Sequence, residues 1–251
     1  MTVEFIMKNL IKSAAEILRE TLSVAVLTGA GVSAESNIPT YRDKDGLWNQ
    51  VQAQDLATLE AIAKNPATVW EWYSHRQQMM LKCEPNEGHK ALVRMENYFP
   101  EFTLITQNID GLHQRAGSRN ILELHGNIMK ARCMKEEDRV FDYITGDNYL
   151  PKCENCGSLI RPHVVWFGEM LDSEVIGKAT GVSENCEVFI IAGTSAAVYP
   201  AAGLPLIALR NGARLIEVNM EDTPITSFAD ISIRGKSGEI LPEIMKLVEG
   251  G

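Results

Sequence analysis

Short apolar, β-branched runs recur along the chain, at Ser23–Thr28, Thr103–Thr106, Ile121–Leu124, Val188–Ala192, Arg214–Val218 and Ile231–Ile233. Nearly continuous apolar runs of this length predict strands buried on both faces. Helical patterns lie between several of them. Asn65-Pro66 predicts one helix start, with Asn as the cap and Pro in the first turn. Asn86 predicts a second start, and Pro200 a third that stops near Asn211-Gly212. Strands alternating with helices predict an α/β fold, a parallel sheet with helices on both faces. Residues 127–164 break this rhythm: the stretch is polar, holds Cys133, Cys153 and Cys156, and reads as a small inserted module.

Composition narrows the function classes. A chain of 251 residues, 45% hydrophobic and 23% charged, suits one large globular domain with a smaller insertion. No run of about 18 apolar residues predicts a membrane span. Glu4, Lys8, Lys12 and Glu16 interrupt any apolar core of a signal peptide, so a cytoplasmic protein is expected. The net charge of −9 argues against nucleic acid as a partner. It suits lysine-bearing protein substrates, or simply solubility. Five cysteines, two of them in a CxxC, point to metal or free thiols rather than to disulfides.

The run Ser23–Thr28 leads into Gly29-Ala30-Gly31-Val32-Ser33-Ala34, which fits G-x-G-x-x-[GA] between a strand and a helix start. In that pattern Gly29 serves a tight turn, Gly31 lets the backbone approach a pyrophosphate, and the helix N-terminus favours its charge. Alone, the match is also what a tight turn gives. No acidic strand end follows about 20 residues later, as it does in dehydrogenases. Instead Glu35 to Trp48 is a polar stretch. Three further motifs follow predicted strands: Gln107-Asn108-Ile109-Asp110, Leu124-His125-Gly126 and Gly193-Thr194-Ser195. Carboxyl ends of parallel strands are where open α/β sheets bind ligands.

These motifs, with Glu35-Ser36 and Ile38-Pro39-Thr40-Tyr41-Arg42, resemble the sirtuin family from about Val24 to Leu247. The resemblance implies a Rossmann-like sheet with a small zinc-ribbon and helical insertion. The large part is expected over 1–50, 86–126 and 165–251, the small part over 51–85 and 127–164. Asn37 and Asp43 stand where the family has glycine, and Tyr41 where it has phenylalanine. Asn tolerates positive φ and can keep the turn; Asp43 has no evident role.

The resemblance also implies that NAD is consumed as co-substrate. Gly29, Ala30, Gly31, Ser33, Glu35, Thr40, Tyr41, Arg42, Trp48, Gln107, Ile109, Gly193, Thr194, Ser195, Asn219, Met220, Glu221 and Ser237 are the expected cofactor-binding residues. Asp110 is expected to bind the nicotinamide amide, Asn108 to order water or ribose, and His125 to act as general base. An imidazole titrates near neutrality and suits that task; the alternative for His125 is a strand-end histidine satisfied by hydrogen bonds. His89, His113 and His163 are read as structural. The implied activity is removal of acyl groups from protein lysines, giving nicotinamide and O-acyl-ADP-ribose. The substrate peptide is expected as a strand beside Val165-Trp166-Phe167-Gly168-Glu169 and the Ser195–Tyr199 loop.

Tyr73 and Arg76, three apart on the helix opened by Asn65-Pro66, share a face. This Y-x-x-R is similar to the pair of class III sirtuins, which remove succinyl and malonyl groups, and Arg binds carboxylates bidentately. Trp48 and Gln52-Ala53-Gln54-Asp55-Leu56-Ala57 look like that class too. Otherwise Tyr73 packs and Arg76 is solvated. The ribbon has an intact Cys153-Glu154-Asn155-Cys156, but Glu136 replaces one cysteine of the Cys133 pair. Carboxylate is an acceptable zinc ligand, so either a Cys3Glu zinc site or a metal-free module held by Asp138 and other polar groups is expected. Cys83 and Cys186 are read as ordinary thiols. The competing functions are a general deacetylase, a mono-ADP-ribosyltransferase or NAD glycohydrolase, an NAD-sensing scaffold and a zinc-ribbon nucleic-acid binder. A monomer is expected.

Overall fold

The structure is a computed structural model and describes residues 3–40, 55–146 and 149–250. Six parallel strands form the main sheet: β1 (Ser23–Thr28), β2 (Glu101–Thr106), β3 (Ile121–Glu123), β7 (Val188–Ala192), β8 (Arg214–Asn219) and β9 (Ile231–Arg234). All six fall on the predicted runs, within two residues at each end. Their order is β3-β2-β1-β7-β8-β9. The order reverses between β1 and β7, so the loops after these two strands flank the crevice where such sheets take ligands.

Alternation within each strand builds two cores. Val24, Val26, Leu104, Ile190 and Ile216 face one side, against Ile11, Ala14, Ala15 and Leu18 of the helix Val3–Arg19 and Ile240, Leu241, Ile244 and Met245 of the helix Ser237–Glu249. Those helical positions recur at i, i+3, i+4 and i+7 or close to it, an apolar stripe. Ala25, Leu27, Ile105, Phe189 and Leu215 face the other side, against Ala179 of the helix Ser173–Asn185 and Leu204 and Ala208 of the helix Leu204–Arg210.

The expected caps are present. Asn65 Oδ1 accepts the Thr68 N–H at the start of the helix Pro66–Leu81. Asn86 and His89 form a reciprocal capping box at the start of Glu87–Tyr98. After Pro200 a 3-10 turn, Ala201–Gly203, precedes the helix Leu204–Arg210, whose C-cap is Asn211.

A second, antiparallel sheet has the order β5 (Val140–Asp142), β4 (Gly126–Cys133), β6 (Ile160–Val164). The helix Pro66–Leu81 docks on it through polar contacts as well as apolar ones. Trp70 Nε1 donates to the Ile160 carbonyl at 2.9 Å. Gln77 Nε2 donates to the carbonyls of Ile128 and Tyr143, and its Oε1 accepts the Thr145 N–H. This third core also takes in Ile38, Ile109, Leu112 and Trp166, so it is continuous with the loops at the crevice.

Candidate active site

The loop after β1 lies directly on the loop after β7. The Gly31 N–H donates to the Gly193 carbonyl at 2.8 Å, and a Cβ on Gly31 would sit 2.7 Å from that oxygen. Gly193 has φ +57, and its Cβ would fall 2.4 Å from the Val32 nitrogen. Gly29 is extended, with φ −133, and its carbonyl accepts the Val32 N–H at 3.0 Å as the chain turns into the helix. The Gly31 N–H is taken by the Gly193 carbonyl, so the missing Cβ of Gly31 allows the close packing of the two loops. Asn37 keeps its turn as expected, at φ +63.

Ser33 is fully buried and joins three motifs. Its hydroxyl donates to Asp110 Oδ2 at 2.7 Å and accepts from Asn108 Nδ2 at 3.2 Å. Asn108 Nδ2 also donates to the Gly29 carbonyl, and Leu112 N–H donates to Asp110 Oδ1. Burial raises the Asp110 carboxyl above its ordinary range, against the pull of the Leu112 N–H and the Ser33 hydroxyl.

His125 follows β3 and is half-buried. Its Nδ1 lies 3.0 Å from the Gln107 carbonyl. A carbonyl only accepts, so Nδ1 carries the proton and Nε2 is left as a base. Burial lowers its pKa, with the Gln107 bond opposing, so the ring is neutral at pH 7. Gln107 Nε2 donates to Thr194 Oγ1 at 2.8 Å, and Asn219 Nδ2 donates to the Thr194 carbonyl at 2.9 Å. These bonds tie the ends of β2, β7 and β8 together.

The other expected cofactor residues have varied surroundings. Ala30, Thr40 and Ser195 are half-buried, Ile109 and Ser237 are buried, and Met220 and Glu221 are exposed. Glu35 accepts the Gly238 N–H at 2.7 Å and so caps the last helix. Tyr41, Arg42, Asp43, Trp48 and Gln52-Ala53-Gln54 lie outside the described residues.

On the helix Pro66–Leu81, Tyr73 and Arg76 are both buried. Tyr73 Oη accepts from Trp166 Nε1 at 2.7 Å. The Arg76 guanidinium stacks 4.8 Å from the Trp72 ring, and the residue is only 7% exposed. Among the described residues it has no hydrogen bond or ion pair, and its Nε is buried without a partner. A solvated Arg76 is thus not what the fold produces.

The segment 165–169 is partly committed to the fold. Val165 N–H donates to the His125 carbonyl and Phe167 N–H to the Ala57 carbonyl. Arg161 lies 3.6 Å from the Trp166 ring and binds Glu169 through two bonds of 2.6 and 2.7 Å. Trp166 and Glu169 therefore brace the segment. Phe167 and Gly168 are exposed, as are Met170, Val198 and Tyr199.

Cys133, Glu136, Cys153 and Cys156 converge, with one ligand atom from each lying within 4.8 Å of the others. Cys133 and Cys156 Sγ are 3.5 Å apart. Hydrogen bonds from Ser158 bring the Cys156 thiol down to about 7. Asn155 Nδ2 donates to both Glu136 oxygens at 3.0 Å, which fixes the carboxylate. Three soft donors and one oriented carboxylate suit a structural zinc. Asp138 is exposed and outside the cluster.

Sequence reasoning missed the buried polar layer beneath the crevice. His89 Nε2 is 3.4 Å from Ser33 Oγ, and its ring centroid is 4.8 Å from that of His113. Glu217, fully buried in β8, accepts from Thr223, Thr226, Ser232 and Arg234 and so anchors the loop after Asn219. An acidic residue in an otherwise apolar strand was the available signal for Glu217.

Comparison with known proteins agrees with this geometry. Residues 29–200 match the Sir2 family. An NAD-dependent protein deacylase of Aquifex aeolicus is 53% identical over 226 residues, 90% of this chain and 95% of that protein. The solved structure of a Sir2 homologue–NAD complex is 46% identical and covers 97% of this chain and 94% of its own, with a TM-score of 0.87. A Sir2 protein bound to a myristoylated histone peptide is 36% identical, covers 97% and 98%, and has a TM-score of 0.77. Among the described residues no helix is long and apolar enough to cross a membrane. A switch-point crevice, a neutral histidine at its edge and similarity along nearly the whole chain meet in one conclusion: the chain belongs to the Sir2 family, the sirtuins, and is an NAD-dependent protein deacylase.

Proposed function

We propose that this deacylase acts on lysines carrying short acidic acyl groups, succinyl and malonyl, as well as on acetyl-lysine. The observation that carries the reading is Arg76, a buried residue whose guanidinium has no carboxylate partner among the described residues and whose Nε is buried without one. Burying an unpaired charge is costly. A substrate carboxylate relieves that cost through two parallel hydrogen bonds. The Trp72 ring holds the guanidinium plane from one side. Tyr73, one turn away, has its hydroxyl oriented by Trp166.

In this reading acyl-lysine, NAD and water give lysine, nicotinamide and O-acyl-ADP-ribose. His125 takes a proton at Nε2, Asn108 and Asp110 hold the nicotinamide side, and the exposed Phe167, Val198 and Tyr199 flank the substrate peptide. A second reading, a pocket for long apolar chains, is favoured by the myristoylated peptide on the 36%-identical relative. Arg76, without a carboxylate partner among the described residues, opposes it. A panel of succinyl-, malonyl-, acetyl- and myristoyl-lysine peptides, assayed with NAD by mass spectrometry, separates the two. Highest kcat/KM on the acidic acyl groups is expected; highest kcat/KM on myristoyl-lysine would overturn the proposal.

A further inference from the structure

The Gln107–Asn108 peptide unit is held at both ends. Its carbonyl accepts the His125 Nδ1–H at 3.0 Å, and its N–H donates to Thr106 Oγ1 at 3.1 Å. Thr106 Oγ1 also accepts from Thr28 Oγ1 at 2.8 Å. Thr28 and Thr106 are directly paired at the carboxyl ends of β1 and β2. Behind them, His113 Nε2 lies 3.0 Å from Thr28 Oγ1.

In the Thr28–Thr106 bond Thr28 is the donor and Thr106 the acceptor. Thr28 has one hydroxyl hydrogen, directed at Thr106, so His113 Nε2–H is the donor to Thr28. His113 Nδ1 is then a bare acceptor, buried without a partner among the described residues. Burial and the neighbouring His89 hold the His113 pKa well below the usual range, so the ring stays neutral. A neutral imidazole with one committed donor fixes a rotamer; it is not placed to exchange protons with the crevice.

We propose that His113 is a positioning residue for His125, acting through Thr28 and Thr106 on the peptide unit between Gln107 and Asn108. The bonds form an unbroken path from a fully enclosed side chain to the atom that sets the His125 tautomer. Each hydroxyl in it is buried, where a hydrogen bond is stronger than in water. The catalytic consequence rests on the reading of His125 as general base; the effect on its ring does not.

The test labels the five histidines with ¹⁵N and reads the His125 ring nitrogens by NMR, assigned against His125→Ala. In the native chain Nδ1 is protonated and Nε2 bare. His113→Leu, which removes the donor, and Thr28→Val, which cuts the path one bond later at nearly constant volume, are each expected to mix that tautomer. Each should lower kcat about tenfold, because an error near 1 Å in a reacting group can cost about 100-fold. The KM for NAD should move less than kcat, because the Asn108 side chain keeps its bonds to the Gly29 carbonyl and Ser33 when the path is cut. His113→Gln, whose amide can donate to Thr28, is expected to recover the native signature and turnover within about threefold. An unmoved His125 signature in both Leu and Val variants would overturn the proposal, as would a Gln variant as impaired as Leu. A moved signature with native turnover would uphold the positioning role and remove His125 as the base.

Discussion

The imidazole of His125 donates through Nδ1 to the Gln107 carbonyl at 3.0 Å, which leaves Nε2 as the basic atom facing away from the backbone. His125→Ala is therefore expected to lower deacylation by about 10²–10⁴-fold. NAD binding, measured by calorimetry, should persist, because Ser33, Asn108 and Asp110 hold one another without the ring. Near-native turnover in this variant would contradict the assigned role.

Burial places the His125 pKa below the ordinary imidazole value of about 6.5. The acid limb of kcat/KM should accordingly have its midpoint below that value. A midpoint above it, in a profile corrected for unfolding, would mean that another group limits the rate.

His89 is pushed down to about 4 by burial. Its folded pKa is thus lower than its unfolded one, so the unfolded chain takes up the proton first as pH falls. Stability is complete above about 6.5 and declines as pH drops towards 4. The shift corresponds to at most roughly 3.5 kcal/mol at 1.36 kcal/mol per unit. Urea midpoints measured across this window should fall with pH in the native chain and fall less steeply in His89→Gln.

Arg76→Met should lower kcat/KM for succinyl-lysine by about 10- to 150-fold, from 1.5–3 kcal/mol per charge-assisted bond. Acetyl-lysine should lose little. Because the guanidinium is buried and lacks a counter-charge among the described residues, the same change should leave Tm unchanged or raise it. Equal losses on both peptides together with a fall in Tm would assign Arg76 to the fold.

Protein purified without chelators should carry about one zinc per chain. Glu136→Ala should weaken retention against a chelator, and Glu136→Cys should strengthen it, since thiolate is the softer donor. Zinc-free protein with an unchanged Tm would show that the cysteine cluster folds without metal.

Much of this architecture is legible in the chain because its signals are local. Apolar runs such as Val188–Ala192 are buried on both faces whatever surrounds them, and Asn65-Pro66 and Asn86 need only their own turns. Gly31 was legible as a place of close approach, but not for its neighbour, since Gly193 is 162 positions away in sequence. Glu35 and Gly238 meet for the same non-local reason. His89 and His113 gave no periodic signal, and their importance lies in which hydroxyls they reach.

β3 closes the edge of the parallel sheet at Glu123, and β4 of the antiparallel sheet begins at Gly126. Only Leu124 and His125 lie between. Gly126 takes φ +77, and a Cβ there would come within 2.2 Å of the His163 carbonyl. The connection has no slack: a tilt of one sheet against the other must be absorbed by backbone torsions beside His125. A disturbance at the cysteine cluster, at the far end of β4, thus has a rigid lever to the ring. Metal loss should therefore register in the His125 environment before the parallel sheet loosens.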